Sequence, residues 1–93
     1  MIVGLVQCDC LLYSAHSLKD KRSVLLSILR KATRNHNLAA SETDWQEAWQ
    51  RTSLAFVSVG TSKVRVEQEL ARALALIDGQ TEMERTKTTY EWF

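Results

Sequence analysis

At 93 residues, of which 24 are Val, Ile, Leu or Phe, the chain is long enough for one packed core, too short for two independent domains and too apolar for disorder. Its 12 Lys and Arg against 11 Asp and Glu leave a formal net charge of +1, so no overall field draws it to polyanions and a nucleic-acid site must be a local patch. No basic stretch followed by a long apolar run opens it, which gives the expectation of a cytoplasmic chain with neither signal peptide nor membrane span.

Residues 2–12 alternate with the period of a strand. Ile2, Val6, Cys8, Cys10 and Leu12 form one apolar set that reads as core-facing. Val3, Leu5, Gln7, Asp9 and Leu11 form the other, and its polar centre implies solvent or a partner on that side. Cys8 and Cys10 stand two apart on one side of this strand, a poor geometry for a disulfide, and a thiol pair suits a reducing compartment.

Ser17 announces the first helix, because its hydroxyl can cap the free amides of the first turn, with Asp20 as an imperfect capping-box acid. Leu18, Leu25, Ile28, Leu29 and Ala32 then fall in one stripe at helical spacing, with Ser23, Ser27, Arg30 and Arg34 opposite. Asn35, His36 and Asn37 end it. Residues 38–44 can form a short edge strand, and 51–59 form a clearer one by their β-branched and aromatic content, with a loop or short helical turn between. In the later strand apolar residues occur on both parities: Phe56 is ordinary core if it points inward, the favoured reading, and a stacking residue if it points outward. Gly60 and Thr61 punctuate, Ser62 caps a second helix with the stripe Val66, Leu70, Ala73, Leu74 and Ile77, and Gly79 closes it. Residues 81–93 return to alternation, with Thr86, Thr88, Tyr90 and Trp92 on one face and Arg85, Lys87, Thr89 and Glu91 on the other.

The order β-α-β-β-α-β with right-handed crossovers predicts an α+β fold over residues 1–93, a single ferredoxin-like sandwich. A four-stranded antiparallel sheet would carry two helices on one face and leave the second face open for RNA, a ligand or another subunit.

Chemistry is sparse. Three cations, Lys19, Lys21 and Arg22, crowd the end of the first helix that already carries the positive pole of its dipole. Either an anion binds there among Ser17, the free amides and these side chains, or Lys21 and Arg22 lay their stems along the core and put their charges in water. Farther along, Arg30, Lys31 and Arg34 give the helix a basic face able to meet a phosphate backbone or simply to be solvated. Glu42, Asp44 and Glu47 then reverse the sign, so the molecule is electrically polarised.

Trp45 and Trp49 lie in a connection and need a partner: the sheet edge, a subunit or a base. Tyr90, Trp92 and Phe93 mark the last strand as a second interaction surface. The two cysteines with His16 and His36 have no metal-ligand spacing, so neither metal nor other cofactor is expected. Gly60-Thr61-Ser62-Lys63 lacks the upstream glycine of a phosphate-binding loop and reads as a helix cap. No Ser, His and acid are arranged as a nucleophile motif.

Ala15-His16-Ser17-Leu18-Lys19-Asp20-Lys21-Arg22-Ser23 resembles the signature A-R-S-L-K-E-K-R of the YlxP-like family, small bacterial proteins of unknown function. Met1-Ile2-Val3-Gly4-Leu5, Glu42-Thr43-Asp44 and Trp49-Gln50-Arg51 extend the likeness from residue 1 to about 77. The chain departs from the family at Asp20 for Glu, His16 for Arg, Tyr13-Ser14 for Pro-Gly and Cys10-Leu11 for Leu-His. The resemblance implies a ferredoxin-like fold and, since the family's genes typically neighbour those for translation initiation and ribosome maturation, a role near RNA or the ribosome.

The resulting expectation is a non-catalytic accessory protein that binds structured RNA or a ribosomal particle through Ser17, Lys19, Lys21, Arg22, Arg30, Lys31 and Arg34 and the open sheet face. A homo-oligomeric interaction module, with a dimer made through the sheet face or last strand and with Trp45, Trp49, Arg51, Tyr90 and Trp92 as contact residues, is the second reading. An acylphosphatase-like enzyme is the third, and it lacks the glycine-rich turn and arginine before Ser17 that would wrap a phosphate.

Overall fold

A computed structural model describes residues 1–93. The chain runs β1 (Ile2–Leu12), α1 (Leu18–Asn35), β2 (Ala39–Asp44), β3 (Arg51–Gly60), α2 (Lys63–Asp78) and β4 (Met83–Trp92). The strands form one antiparallel sheet in the order β2-β3-β1-β4, which is the ferredoxin-like arrangement.

The sequence periods select the buried face. On β1, Val6, Cys8, Cys10 and Leu12 are buried, and on β3 their cross-strand partners Phe56, Leu54 and Thr52 are buried beside them. Phe56 therefore points inward. The helices cover this face with Leu25, Ile28 and Ala32 from α1 and Val66, Leu70, Ala73, Leu74 and Ile77 from α2. Ser17 caps α1 by accepting from the Asp20 amide at 3.1 Å, and Ser62 accepts from the Arg65 amide at 3.5 Å. Gly4 is required by close approach: a Cβ there would lie 2.7 Å from the Trp92 ring and 2.8 Å from a Val66 methyl.

Strict alternation fails once in β4. The β1–β4 register shifts between Asp9 and Cys10, so Lys87 opposes Asp9 and Arg85 opposes Cys10. Thr86 is the extra residue of a bulge, and Arg85 is returned to the helix side with Thr88, Tyr90 and Trp92. There it holds Asp78 at the end of α2 through a bidentate pair of 2.7 and 2.8 Å. The sequence assignment of Arg85 to the opposite face is thus corrected, because a single inserted residue inverts every side chain beyond it.

A second bulge, at Thr43, separates the pairs Glu42–Leu54 and Asp44–Ser53. Glu42, paired ahead of it with the buried Leu54, lies on the helix side of β2, where it meets Lys21 of α1.

Candidate functional site

Lys21 occupies the middle of the buried stripe of α1, not its flank. Its Nζ donates to the carbonyl oxygens of Trp45 (2.6 Å), Ala48 (2.7 Å) and Arg51 (3.0 Å) and lies 2.9 Å from Glu42 Oε2. An ammonium has three donors and this one is surrounded by four oxygens, so its charge is fully consumed within the chain. Neither sequence reading of Lys21 holds. The side chain is not snorkelling into water, and the ammonium is not free to meet an external anion. The periodicity of α1 placed it inward, and the carboxylate from β2 made that burial tolerable.

The start of α1 is likewise closed from inside. Asp20 Oδ2 accepts from the His16 amide at 3.1 Å while Ser17 caps the Asp20 amide, so the chain's own carboxylate sits where an anion was expected. The cations that remain exposed on α1 are Lys19, Arg22, Arg30, Lys31 and Arg34, and none of them lies in an ion pair. At about 1.5 Å per residue they mark out roughly 22 Å of helix. Outside α1, Arg72 is held by Glu69 at 2.8 Å and Arg85 by Asp78 at 2.7 Å, while Arg51 and Lys63 lie against tryptophan rings. That hydrogen-bonded Asp78 carboxylate raises the already high Arg85 pKa further.

The solvent side of α1 and the open side of the sheet face opposite directions, because the helices lie on the other sheet face. The open side also carries little positive charge. Its centre is satisfied locally, with the Ser53 hydroxyl donating to Asp9 Oδ1 at 2.5 Å and the Gln7 amide reaching the Thr43 hydroxyl at 3.4 Å. Toward one end it is apolar, with Val3, Leu5, Ala55 and Val57 half-buried and Val59 and Phe93 exposed.

The aromatic candidates divide into two groups. Arg51 stacks on Trp45 at 3.9 Å from the ring centre, beside the exposed Trp49. The connection carrying them is built in part on Trp45 itself, whose φ is 62°. Gln50 ties it to the turn before α1 by donating to the carbonyls of Tyr13 (3.3 Å) and Ala15 (3.2 Å). Tyr90 and Trp92 lie elsewhere: Trp92 opposes Gly4 while Arg51 opposes Leu11, some seven residues or about 24 Å along β1. Trp92 packs over Gly4, with the Lys63 ammonium 4.9 Å from its ring.

One contributor was missed from the sequence. Tyr13 stands at this same end, 62% exposed, with its hydroxyl donating to Glu84 Oε2. That bond to a carboxylate raises the phenol above its ordinary pKa, so the hydroxyl keeps its proton through neutral pH. Only the unusual Tyr13-Ser14 in place of Pro-Gly could have pointed to it.

The residues that carried the sequence resemblance, Ser17, Lys21, Glu42, Gln50 and Arg51, thus meet at one end of the molecule in a single network. Consistent with that convergence, residues 3–90 match the family model "Protein of unknown function (DUF503)". The chain belongs to this family. It is 46% identical over 92 residues to the uncharacterised protein YlxP of Bacillus subtilis, covering 99% of this chain and all of that one. Among solved structures the de novo designed protein Foldit4 is similar in fold, with a TM-score of 0.58 at 11% identity over 100% of this chain and 97% of that one. That likeness concerns the fold alone. In this DUF503 chain the segment Ser17–Arg22 is in large part architectural: Ser17 caps α1 and Lys21 anchors the β2–β3 connection.

Proposed function

We propose that the protein is a non-catalytic accessory factor that binds the phosphate backbone of structured RNA, free or within a ribosomal particle, along the exposed side of α1. The observation that carries this reading is the run of five exposed, unpaired cations, Lys19, Arg22, Arg30, Lys31 and Arg34, along roughly 22 Å of a single helix with no acid paired to any of them. Backbone binding of this kind is non-specific in sequence and sensitive to salt. Filter binding to ribosomal RNA fragments should give a plot of log affinity against log salt with a slope of roughly −0.7 to −0.9 for each phosphate contacted. Reversing Arg30 and Arg34 together to Glu should weaken all RNAs alike and flatten the slope by about 2. Micromolar protein showing no salt-sensitive binding overturns the reading.

The apolar end of the open sheet face favours a second reading, a self-associating interaction module. Val3, Leu5, Val57, Val59 and Phe93 form a patch suited to a second copy. Light scattering at high concentration decides it, and a strict monomer removes it. An acylphosphatase-like activity finds no support, since the His16 amide before α1 is already taken by Asp20.

A further inference from the structure

Beyond the phosphate contacts proposed for α1, the end of the molecule anchored by Lys21 holds a second feature. A cleft of about 490 Å³ is lined by Leu11, Tyr13, Ala48, Trp49, Gln50 and Arg51. Trp49 is 54% exposed and Tyr13 62% exposed, so two aromatic rings border an apolar floor without packing into the core. The Arg51 guanidinium is held against Trp45, yet it makes no ion pair and donates to no acceptor in the chain. Gln50 uses its amide NH₂ on the Tyr13 and Ala15 carbonyls, which leaves its own carbonyl oxygen as an acceptor.

The connection that displays these groups is unusually well fixed for a surface turn. A buried ammonium gathers three of its carbonyls, and Trp45 accepts a left-handed backbone conformation that costs of order 1 kcal/mol for a bulky residue. Such an arrangement keeps the cleft formed before any ligand arrives.

We infer that this cleft binds an unpaired guanine base of RNA. An aromatic ring offers a stacking platform to any base. The unsatisfied planar fork of Arg51 matches the two adjacent acceptors, O6 and N7, that distinguish guanine's edge. The inference rests on the reading of the protein as an RNA binder, but it concerns a different surface from the outer side of α1, so the two can fail separately.

The test uses the intact ¹⁵N-labelled chain and follows the indole N–H resonance of Trp49, assigned with Trp49→Phe, during titration with guanosine or cytidine monophosphate at millimolar concentration. Guanosine monophosphate should move the Trp49 signal more than cytidine monophosphate does and leave Trp92 in place. Arg51→Lys keeps the charge without the fork and should abolish the preference. In filter binding, Trp49→Ala should weaken an RNA hairpin with unpaired guanines by roughly 5- to 150-fold and leave a blunt duplex unchanged. Reversal of Arg30 and Arg34 should weaken both.

A Trp49 signal indifferent to guanosine monophosphate, or moved as far by the cytidine nucleotide, overturns the inference. A signal that moves with protein concentration alone also overturns it and assigns the cleft to self-association. If Trp49 responds as expected while neither RNA binds with salt sensitivity, the base site stands and the α1 reading falls.

Discussion

Lys21 is the residue on which the reading of this chain turns. A lysine in the first turn of a basic helix reads as surface charge, and its helical spacing alone places it within the apolar stripe. What the spacing does not contain is the partner: Glu42 lies 21 positions away, on a strand whose facing is set by its pairing with β3, where Glu42 opposes the buried Leu54. Removing one member of a buried pair leaves the other uncompensated, at a cost of about 3–5 kcal/mol. Lys21→Met should therefore lower stability by about that amount in urea unfolding, toward the lower end because Glu42 retains some contact with water. Adding Glu42→Gln should recover part of the loss, and a Lys21→Met variant within about 1 kcal/mol of the parent would contradict the account. The cysteines behave as their spacing implied. They are free, 1% and 2% exposed, and a hydrogen bond to Cys10 followed by burial pushes the Cys8 thiol far above its ordinary pKa. The same bond draws Cys10 down, but its inaccessibility controls its chemistry. A disulfide reagent should find no thiol in the native protein and two after unfolding.

At the scale of elements, periodicity carried most of the information. Both helices and the buried parity of β1 follow from apolar spacing, and the serine caps from a hydroxyl ahead of each stripe, signals that are local and survive without knowledge of the fold; the facing of Phe56, on a strand apolar on both parities, is decided by its pairing with Val6. The two bulges did not show themselves, because a bulge is a property of a pair of strands and leaves no mark on one strand read alone. Arg85 was misplaced for that reason. The packing of α2 on the sheet depends on a residue with no side chain: Gly4 lets Val66, Leu70 and the Trp92 ring approach the backbone of β1. Gly4→Ala should destabilise the protein by about 1–3 kcal/mol through overpacking, measured by chemical denaturation. Part of the strain should be relieved when Trp92 is also shortened, since the closest of these atoms belongs to that ring.

Over the whole molecule, a net charge of +1 conceals separation. The free cations of α1 lie on the helical layer, whereas Asp44 and Glu47 lie at the end of β2 and in the following connection. Composition foresaw the polarity but joined α1 and the open sheet face into one binding surface, which the two-layer architecture forbids: a rigid partner on one cannot touch the other. If both surfaces are used, they hold different partners, or different parts of one that wraps around the domain. Salt should separate them, since contacts along α1 weaken as ions are added while burial of Val3, Leu5 and Val57 would not. A light-scattering series across ionic strength reads the apolar contact, and filter binding over the same series reads the charged one.

The ammonium of Lys21 also ties together two segments that are otherwise distant in sequence. Opening the turn that spans Trp45 to Arg51 would strip a charged group of its ligands, so this turn has no inexpensive way to fray by itself. Its amides should exchange with deuterium at rates governed by the same opening event as the first turns of the helix that carries the lysine, joining a surface loop to a cooperative unit of the core. Exchange at the ordinary pace of an exposed loop would show the two to be uncoupled.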